Sequence, residues 1–491
     1  MGPATSPGTG VPDSAGAVSV GKGTGGERTE RTGAVADNAD GALSVRDGGR
    51  GSRALLIAGA LVAAIAAIAY LVALATHPIK VNLNGFDLQV YLGGAHEALH
   101  RPLNLYNWHY RDDLGIQFTY TPFAALLFSG GLAIPFTALM GLVSVVSVFA
   151  LAATVWIAFR ELGWRSRASR AGATLLVTGL VFWTEPVQRE LYLGQVELAL
   201  MGLVVWDMCQ PDRRRWKGAG VGLAAGIKLV PALFIIYLLL TRRFRAALVA
   251  CGSFLATVAI GFIGLPHPSV TWWLHGYFWE AGRTGFVGDQ QNQSLRGIIT
   301  RLAGSVAGGQ APWLVFFLIV GVAGLAAAVV LWNSERPWGR FAGLMACALT
   351  ALLISPISWD HHWVWIAPGT VILIDAGVRA ASSRLARGWW QGLAGVVLVA
   401  YGAWPDFWWP NTGLLQGGLI NYAPAAVFAH GDNPAYPEYH WHGLQLLAGN
   451  LYLLAGLGLF AVTLAVAIRL VRSDGTRLLS VPLPPLGKGR R

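Results

Sequence analysis

Along this chain the apolar positions do not alternate with polar ones. They come in long runs separated by short, charged loops. The runs fall at about 52–76, 122–136, 138–159, 171–185, 195–209, 218–240, 244–265, 312–333, 340–356, 361–378, 389–404 and 445–469. A bilayer core about 30 Å thick takes about 20 apolar residues of helix. In lipid, only a helix satisfies the backbone of such a run from within. The pattern therefore predicts an all-α polytopic membrane protein with about 10–13 transmembrane or re-entrant helices. A soluble protein with buried helices would carry polar stripes at helical spacing, and most of these runs lack them.

The loops give the chain a direction. Arg160, Arg165, Arg167 and Arg170 share one loop, and Arg213, Arg214, Arg215 and Lys217 the next. Arg242, Arg243 and Arg245 follow, then Arg336 with Arg340, then Arg379, Arg384 and Arg387, and finally Arg469, Arg472 and Arg477. Short loops rich in Lys and Arg stay in the cytoplasm. The polar and aromatic segments 77–121, 266–311 and 405–444 then lie outside, and both termini lie inside. Two stretches break the parity. Gly130, Gly131 and Pro135 divide 122–159, which should cross once. Gly226, Lys228 and Pro231 interrupt 218–240, which should start and end on one side. Broken helices of this kind occur where they line a cavity.

Composition refines the picture. Residues 1–50 are rich in Gly, Ser, Thr and charge and cannot bury enough apolar surface to fold, so they read as a disordered cytoplasmic tail. Residues 51–472 form the membrane domain, and 473–491 a second cytoplasmic tail. The run at 52–76 is too long and too far inside the chain for a cleaved signal peptide. Charged residues make up 12% of the chain, about half the share in a soluble protein. The net charge of +11 sits in loops and tails, which argues against a nucleic-acid partner. Cys209, Cys251 and Cys347 lie in or beside apolar runs and read as small buried hydrophobes rather than a disulfide or zinc set. Most of the 21 tryptophans read as interfacial anchors, with some free to stack on sugar rings on the outer side.

Six segments carry candidate chemistry. Asp87, in N-G-F-D-L-Q-V-Y, is an acid in an aromatic, apolar setting close after the first helix. It is a candidate general base, or else a plain helix N-cap. Tyr120-Thr121-Pro122-Phe123 reads as a helix start. The segment 185–197, E-P-V-Q-R-E-L-Y-L-G-Q-V-E, reads by default as a solvated turn, though Gln195 can offer its amide to a sugar hydroxyl. Lys228, in A-A-G-I-K-L-V-P, either snorkels or meets an anion such as a lipid phosphate. Asn292, Gln293 and Arg296, in Q-Q-N-Q-S-L-R, suit a hydroxyl-rich or phosphorylated ligand. Asp360, His361 and His362, in S-P-I-S-W-D-H-H-W, suit a phosphate or sugar, with a cap by Asp360 as the plain alternative. Adjacent residues point in different directions on a helix, so this is poor metal-ligand spacing and no metal site is expected.

In order from about 84 to 368, F-D-L-Q-V-Y, T-Y-T-P-F, L-G-Q-V-E, A-A-G-I-K-L-V-P, N-Q-S-L-R-G and S-P-I-S-W-D-H-H-W resemble glycosyltransferase family 87. These are polyprenyl-phosphate-mannose-dependent α-1,2-mannosyltransferases of actinobacterial envelopes. One position departs: Glu197 stands where relatives tend to carry Asn. The resemblance implies a GT-C helical bundle over 51–472 in the plasma membrane, with its site on the outer face and Asp87 as base. It implies a polyprenyl-phosphate-mannose donor and a mannosylated glycolipid or lipoglycan acceptor, and no cofactor. Gln195, Lys228, Asn292, Gln293, Arg296, Asp360, His361 and His362 become candidates for holding these lipid substrates. The alternatives are a GT-C enzyme for another lipid-linked sugar, such as arabinofuranose, and a carrier or flippase for lipid-linked sugars. A carrier of this kind would be expected to show paired half-helices in its two halves, and none are visible here.

Overall fold

Each of the twelve apolar runs carries a helix. The computed structural model describes residues 49–76, 85–110, 116–380, 382–402, 404–405, 416–422 and 437–474. The expected tail 1–50, most of the outer segment 405–444 and nearly all of the tail 473–491 lie outside the described residues.

In chain order the main helices are α1 (Gly49–Thr76), α2 (Phe86–His100), α3 (Pro122–Ser129), α4 (Phe136–Glu161), α5 (Arg167–Phe182), α6 (Glu185–Leu193), α7 (Glu197–Met208), α8 (Ala219–Ile227), α9 (Leu233–Leu240) and α10 (Phe244–Gly264). After an irregular segment follow α11 (Leu295–Ala303), α12 (Val306–Asn333), α13 (Gly339–Ile354), α14 (Ile366–Arg379), α15 (Arg384–Ala400) and α16 (Leu451–Asp474). Strand structure among the described residues is limited to two antiparallel pairs of two residues each, His109–Tyr110 with Ile116–Gln117 and Trp404–Pro405 with Gln416–Gly417.

Five helices, α1, α4, α10, α12 and α16, are long and apolar enough to cross a membrane alone. The pair α6–α7, bent by 115°, counts as a sixth if taken as one broken span. The remaining apolar runs are shorter. Both parity breaks have a structural form. Across 122–159, α4 provides the crossing, while α3 is a separate short helix. Thr121 caps α3, its Oγ1 accepting from Ala124 N at 3.1 Å, and Pro122 follows at the first turn. Across 218–240, α8 and α9 form a hairpin whose two ends return to the same place. Lys217 and Arg243 both pair with Asp212, at 2.9 and 3.2 Å. Both also lie over the Trp332 ring. The tip at Lys228 reaches the far end of the bundle.

The apolar core runs through the bundle from Leu88 to Leu470, and a second cluster surrounds Trp363, Tyr401 and Tyr452. α1 rides on the outside against α5, where a Cβ at Gly59 or Gly172 would run into the partner backbone. Outward side chains such as Ile57, Leu61, Ile65 and Ile68 are exposed, as expected of a helix that faces lipid. The three cysteines are free.

Candidate active site

Two glycines bring the first two site residues together. Gly85 begins α2 in the left-handed region (φ 56°), and its amide donates to Tyr192 O at 2.9 Å. Gly194 ends α6 in the same region (φ 71°). Only glycine enters this region without strain. A Cβ on Gly194 would meet Met140 Sδ at 2.8 Å and Leu88 Cβ at 2.9 Å. The two turns pack closely, so Asp87 and Gln195 face each other.

Asp87 is not the cap of its helix. Gly85 holds that position, and the carboxylate, in the first turn, accepts from Gln195 Nε2 at 2.7 Å. Gln195 is a hub: its Oε1 accepts from Tyr91 and from Tyr120, the latter at 3.2 Å, and the two phenols are 2.7 Å apart. Tyr91 lies one turn after Asp87 on the same face of α2. The amide is thereby fixed with its NH₂ toward the carboxylate.

The segment 185–197 is not a solvated turn. Glu185, Gln188 and Glu190 are at most 1% exposed. Glu190 Oε1 accepts from Leu198 N at 2.8 Å and so caps the start of α7. Glu185 accepts from Tyr452 OH at 2.9 Å. Arg189 lies 3.7 Å from Asp360, which accepts from His361 N at 2.8 Å and lies 3.2 Å from His361 Nδ1. Lys228, at the end of α8, does not snorkel. It pairs with Glu197, meets His362 Nε2 at 3.0 Å and lies 5.5 Å from the centre of the Tyr120 ring. An ammonium has no lone pair, so His362 Nε2 accepts and its proton sits on Nδ1.

These groups border a cavity of about 720 Å³. Asp87, Gln195, Arg189, Lys228, His361 and His362 line it, with Tyr91 and Tyr120. One wall is aliphatic, from Leu229, Val230, Leu233, Phe317 and Ile354. Another is aromatic and polar, with Trp272, Tyr277, Trp279, Trp359, Arg283, Asp289 and Gln291. Asp87 belongs to the segment outside the spanning helices. Withdrawal from water pushes its carboxyl above the usual range, opposed by His361, the Gln195 bond, Arg189 and Lys228. The carboxyl is thus held on the cavity wall beside Arg189, Lys228 and His361.

Three sequence candidates sit elsewhere. Asn292 spends its side chain on Val287 O, Pro356 O and Ser358 N, tying two loops together. Gln293 likewise binds Gln290 O and Gly449 O, and accepts from Tyr452 N and Leu453 N. Arg296 bonds Gln310 at 3.0 Å and covers the Trp313 ring. None of the three is among the residues lining the cavity, and Asp360 stands behind its wall as the partner of His361. Among the described residues, no group of three or more His, Cys, Asp or Glu side chains is placed to hold a metal ion. Sequence reasoning missed Arg189, Tyr91 and Tyr120. The one readable sign was the Asp87/Tyr91 spacing of four, which puts both on one helix face.

Fold and site together describe a polytopic helical protein, with several helices able to cross a membrane and a cavity that joins an aliphatic wall to buried acids and cations. Residues 118–356 match the family model described as Glycosyltransferase family 87. The chain is similar to a "Polyprenol-phosphate-mannose-dependent alpha-(1-2)-phosphatidylinositol pentamannoside mannosyltransferase" of Mycobacterium tuberculosis (strain CDC 1551 / Oshkosh). The two are 35% identical over 333 residues, covering 66% of this chain and 75% of that one. A protein of the same name from Mycolicibacterium smegmatis (strain ATCC 700084 / mc(2)155) is 34% identical, covering 68% and 80%. A "Polyprenol-phosphate-mannose-dependent alpha-(1-2)-phosphatidylinositol mannoside mannosyltransferase" of Mycobacterium tuberculosis (strain ATCC 25618 / H37Rv) is 32% identical, covering 64% and 75%. No solved structure matches. The chain belongs to glycosyltransferase family 87 and is a membrane glycosyltransferase.

Proposed function

We propose that this protein transfers mannose from a polyprenyl-phosphate-mannose donor to a mannosylated phosphatidylinositol-type glycolipid, with inversion, forming an α-1,2 linkage. The observation that carries the reading is Asp87, bonded to Gln195 at 2.7 Å on the wall of a cavity that Lys228, Arg189 and two histidines share. The relatives' names supply the donor and the acceptor class.

In this reading the prenyl chain lies along the aliphatic wall and the phosphate faces the cations. Asp87 takes the proton of the acceptor's 2-hydroxyl. That oxygen attacks the anomeric carbon from the face opposite the phosphate, and the C–O bond to the lipid phosphate breaks. The leaving group gains negative charge, which Lys228, Arg189 and His361 offset. One displacement needs one base, so no second catalytic carboxylate is required. The cavity opens on the outer side of the plasma membrane. The basic loops, gathered at the opposite end of α7, α8 and α13, and both termini lie in the cytoplasm. Residues 51–472 form the catalytic domain.

The test is incubation of the purified protein with synthetic mannosyl phosphoprenol and a panel of mannoside acceptors, with linkage analysis of the product. An α-1,2-mannoside supports the reading. Transfer of arabinofuranose but not mannose from matched donors, or movement of the lipid across a vesicle with no glycosidic product, rejects it.

A further inference from the structure

Lys228 stands on the cavity wall with every N–H already engaged. An ammonium has three N–H donors. Here it has three partners: the Glu197 carboxylate, His362 Nε2 at 3.0 Å and the face of Tyr120. Lys228 lines the cavity, and Glu197 meets Lys228 from behind that wall, in the first turn of α7. Both side chains are largely buried, at 18% and 12% exposure, so the pair is poorly screened. Of the three partners only Glu197 is an anion. A phosphate drawn to Lys228 must share the ammonium with that carboxylate or displace it.

We propose that Glu197 is an internal counter-ion: it neutralises Lys228 when no phosphate is bound, and by reclaiming Lys228 it helps release the lipid phosphate after transfer. The proposal rests on the donor reading above and deepens it. The charge balance of the reaction gives it a purpose. The donor is a phosphodiester with one negative charge. Transfer breaks the glycosyl C–O bond, moves the acceptor proton to Asp87 and leaves a phosphomonoester, which carries close to two charges at neutral pH. A bare cation would therefore hold the product more tightly than the donor. A competing carboxylate on Lys228 offsets this difference, weakening product binding more than donor binding.

The discriminating variant is Glu197→Gln, which keeps the size and an acceptor for Lys228 but removes the charge. Full-length protein in nanodiscs is assayed with synthetic mannosyl phosphoprenol, with phosphoprenol as added product inhibitor. The donor KM should fall severalfold. The inhibition constant of phosphoprenol should fall further, by roughly tenfold or more, since a close like charge costs several kcal/mol. At saturating donor, kcat should fall as release slows. A donor KM that stays or rises overturns the proposal and makes Glu197 a plain support for Lys228. So does a fall of KM and inhibition constant by the same factor. Glu197→Ala separates the two further: a support alone predicts a raised KM in both variants. Direct calorimetric binding of phosphoprenol to parent and Gln variant keeps the proposal testable on its own. If it tightens while the parent transfers no mannose, the counter-ion stands and the proposed reaction fails.

Discussion

Replacing Asp87 with Asn changes one property and little else. Gln195 Nε2 donates to Asp87 Oδ2 at 2.7 Å, and the carbonyl oxygen of an Asn can accept the same bond. The hub that fixes Gln195, through Tyr91 and Tyr120, is untouched. The variant should therefore fold and bind while lacking a base. A positioned base contributes about 10²–10⁴-fold, or about 3–6 kcal/mol of barrier at about 1.4 kcal/mol per tenfold. We expect kcat to fall by that factor with the donor KM nearly unchanged. The assay is transfer of radiolabelled mannose by purified protein, with detergent-resistant fluorescence as a folding control. The pH profile gives a second reading. A base works only when ionised, and withdrawal from water holds the Asp87 carboxyl above the usual carboxylate range. Activity of the parent should thus be lost on acidification through that raised value, at a higher pH than an ordinary Asp would give. The residual activity of Asp87→Asn should not show that limb. A variant that keeps the parent rate, or the same acid limb, refutes the assignment of Asp87.

Further expectations test the surrounding construction. Gln195→Leu removes a bond to the ionised carboxyl, so the acid limb should move to higher pH, with a stability loss of about 1–3 kcal/mol from the abandoned phenols and carboxylate; an unmoved limb would disconnect the amide from the base. Gly194→Ala should lower the thermal midpoint and the activity together, since a left-handed backbone costs about 1–2 kcal/mol and the new Cβ meets Met140 and Leu88. Asn292→Ala should destabilise by a similar amount through its lost loop ties, while KM of the surviving enzyme stays near that of the parent. Arg296→Gln, outside the cavity, should leave turnover at the parent level; a large rise in donor KM would return it to the phosphate site.

The sequence was most legible where one physical rule dominates. Apolar runs had to be helices, and every one is. The Gly226–Lys228–Pro231 break had to be explained, and the α8–α9 hairpin explains it. Legibility failed where a charged segment could be solvated or buried with equal local plausibility. In 185–197 the deciding partners are Leu198 N for Glu190, Tyr452 for Glu185 and Asp360 for Arg189. Two of the three lie far along the chain, so no window of sequence contains them. Asn292 and Gln293 failed in the opposite sense. Amides suited to a sugar are equally suited to backbone groups, and here the loops 287–293 and 356–358 use them first. Asp87 stands out in the sequence for its aromatic, apolar setting and by the resemblance, and the structure puts it on the cavity wall with Gln195 bonded to it.

The short helices carry the last step of the argument. α7 has 12 residues, about 18 Å at 1.5 Å per residue, against a bilayer core of about 30 Å. It runs from Glu197 beside the cavity to Met208, next to the basic loop that bears Lys217. The hairpin α8–α9 rises by a comparable amount to Lys228. On the proposed topology the floor of the cavity therefore lies within the thickness of the membrane, not at its surface. A prenyl chain can stay in lipid against the aliphatic wall while its phosphate reaches Lys228, with no need to leave the bilayer. A full-length helix in place of α7 would be about 12 Å longer and would carry Glu197 and the Gly194 turn away from Lys228 at the tip of α8. The bend at Gly194 is then the feature that matches the depth of the site to its lipid. Any variant that straightens it should lose transfer from long-chain donors before it loses transfer from short-chain ones, a ratio that parallel assays with the two donors measure directly.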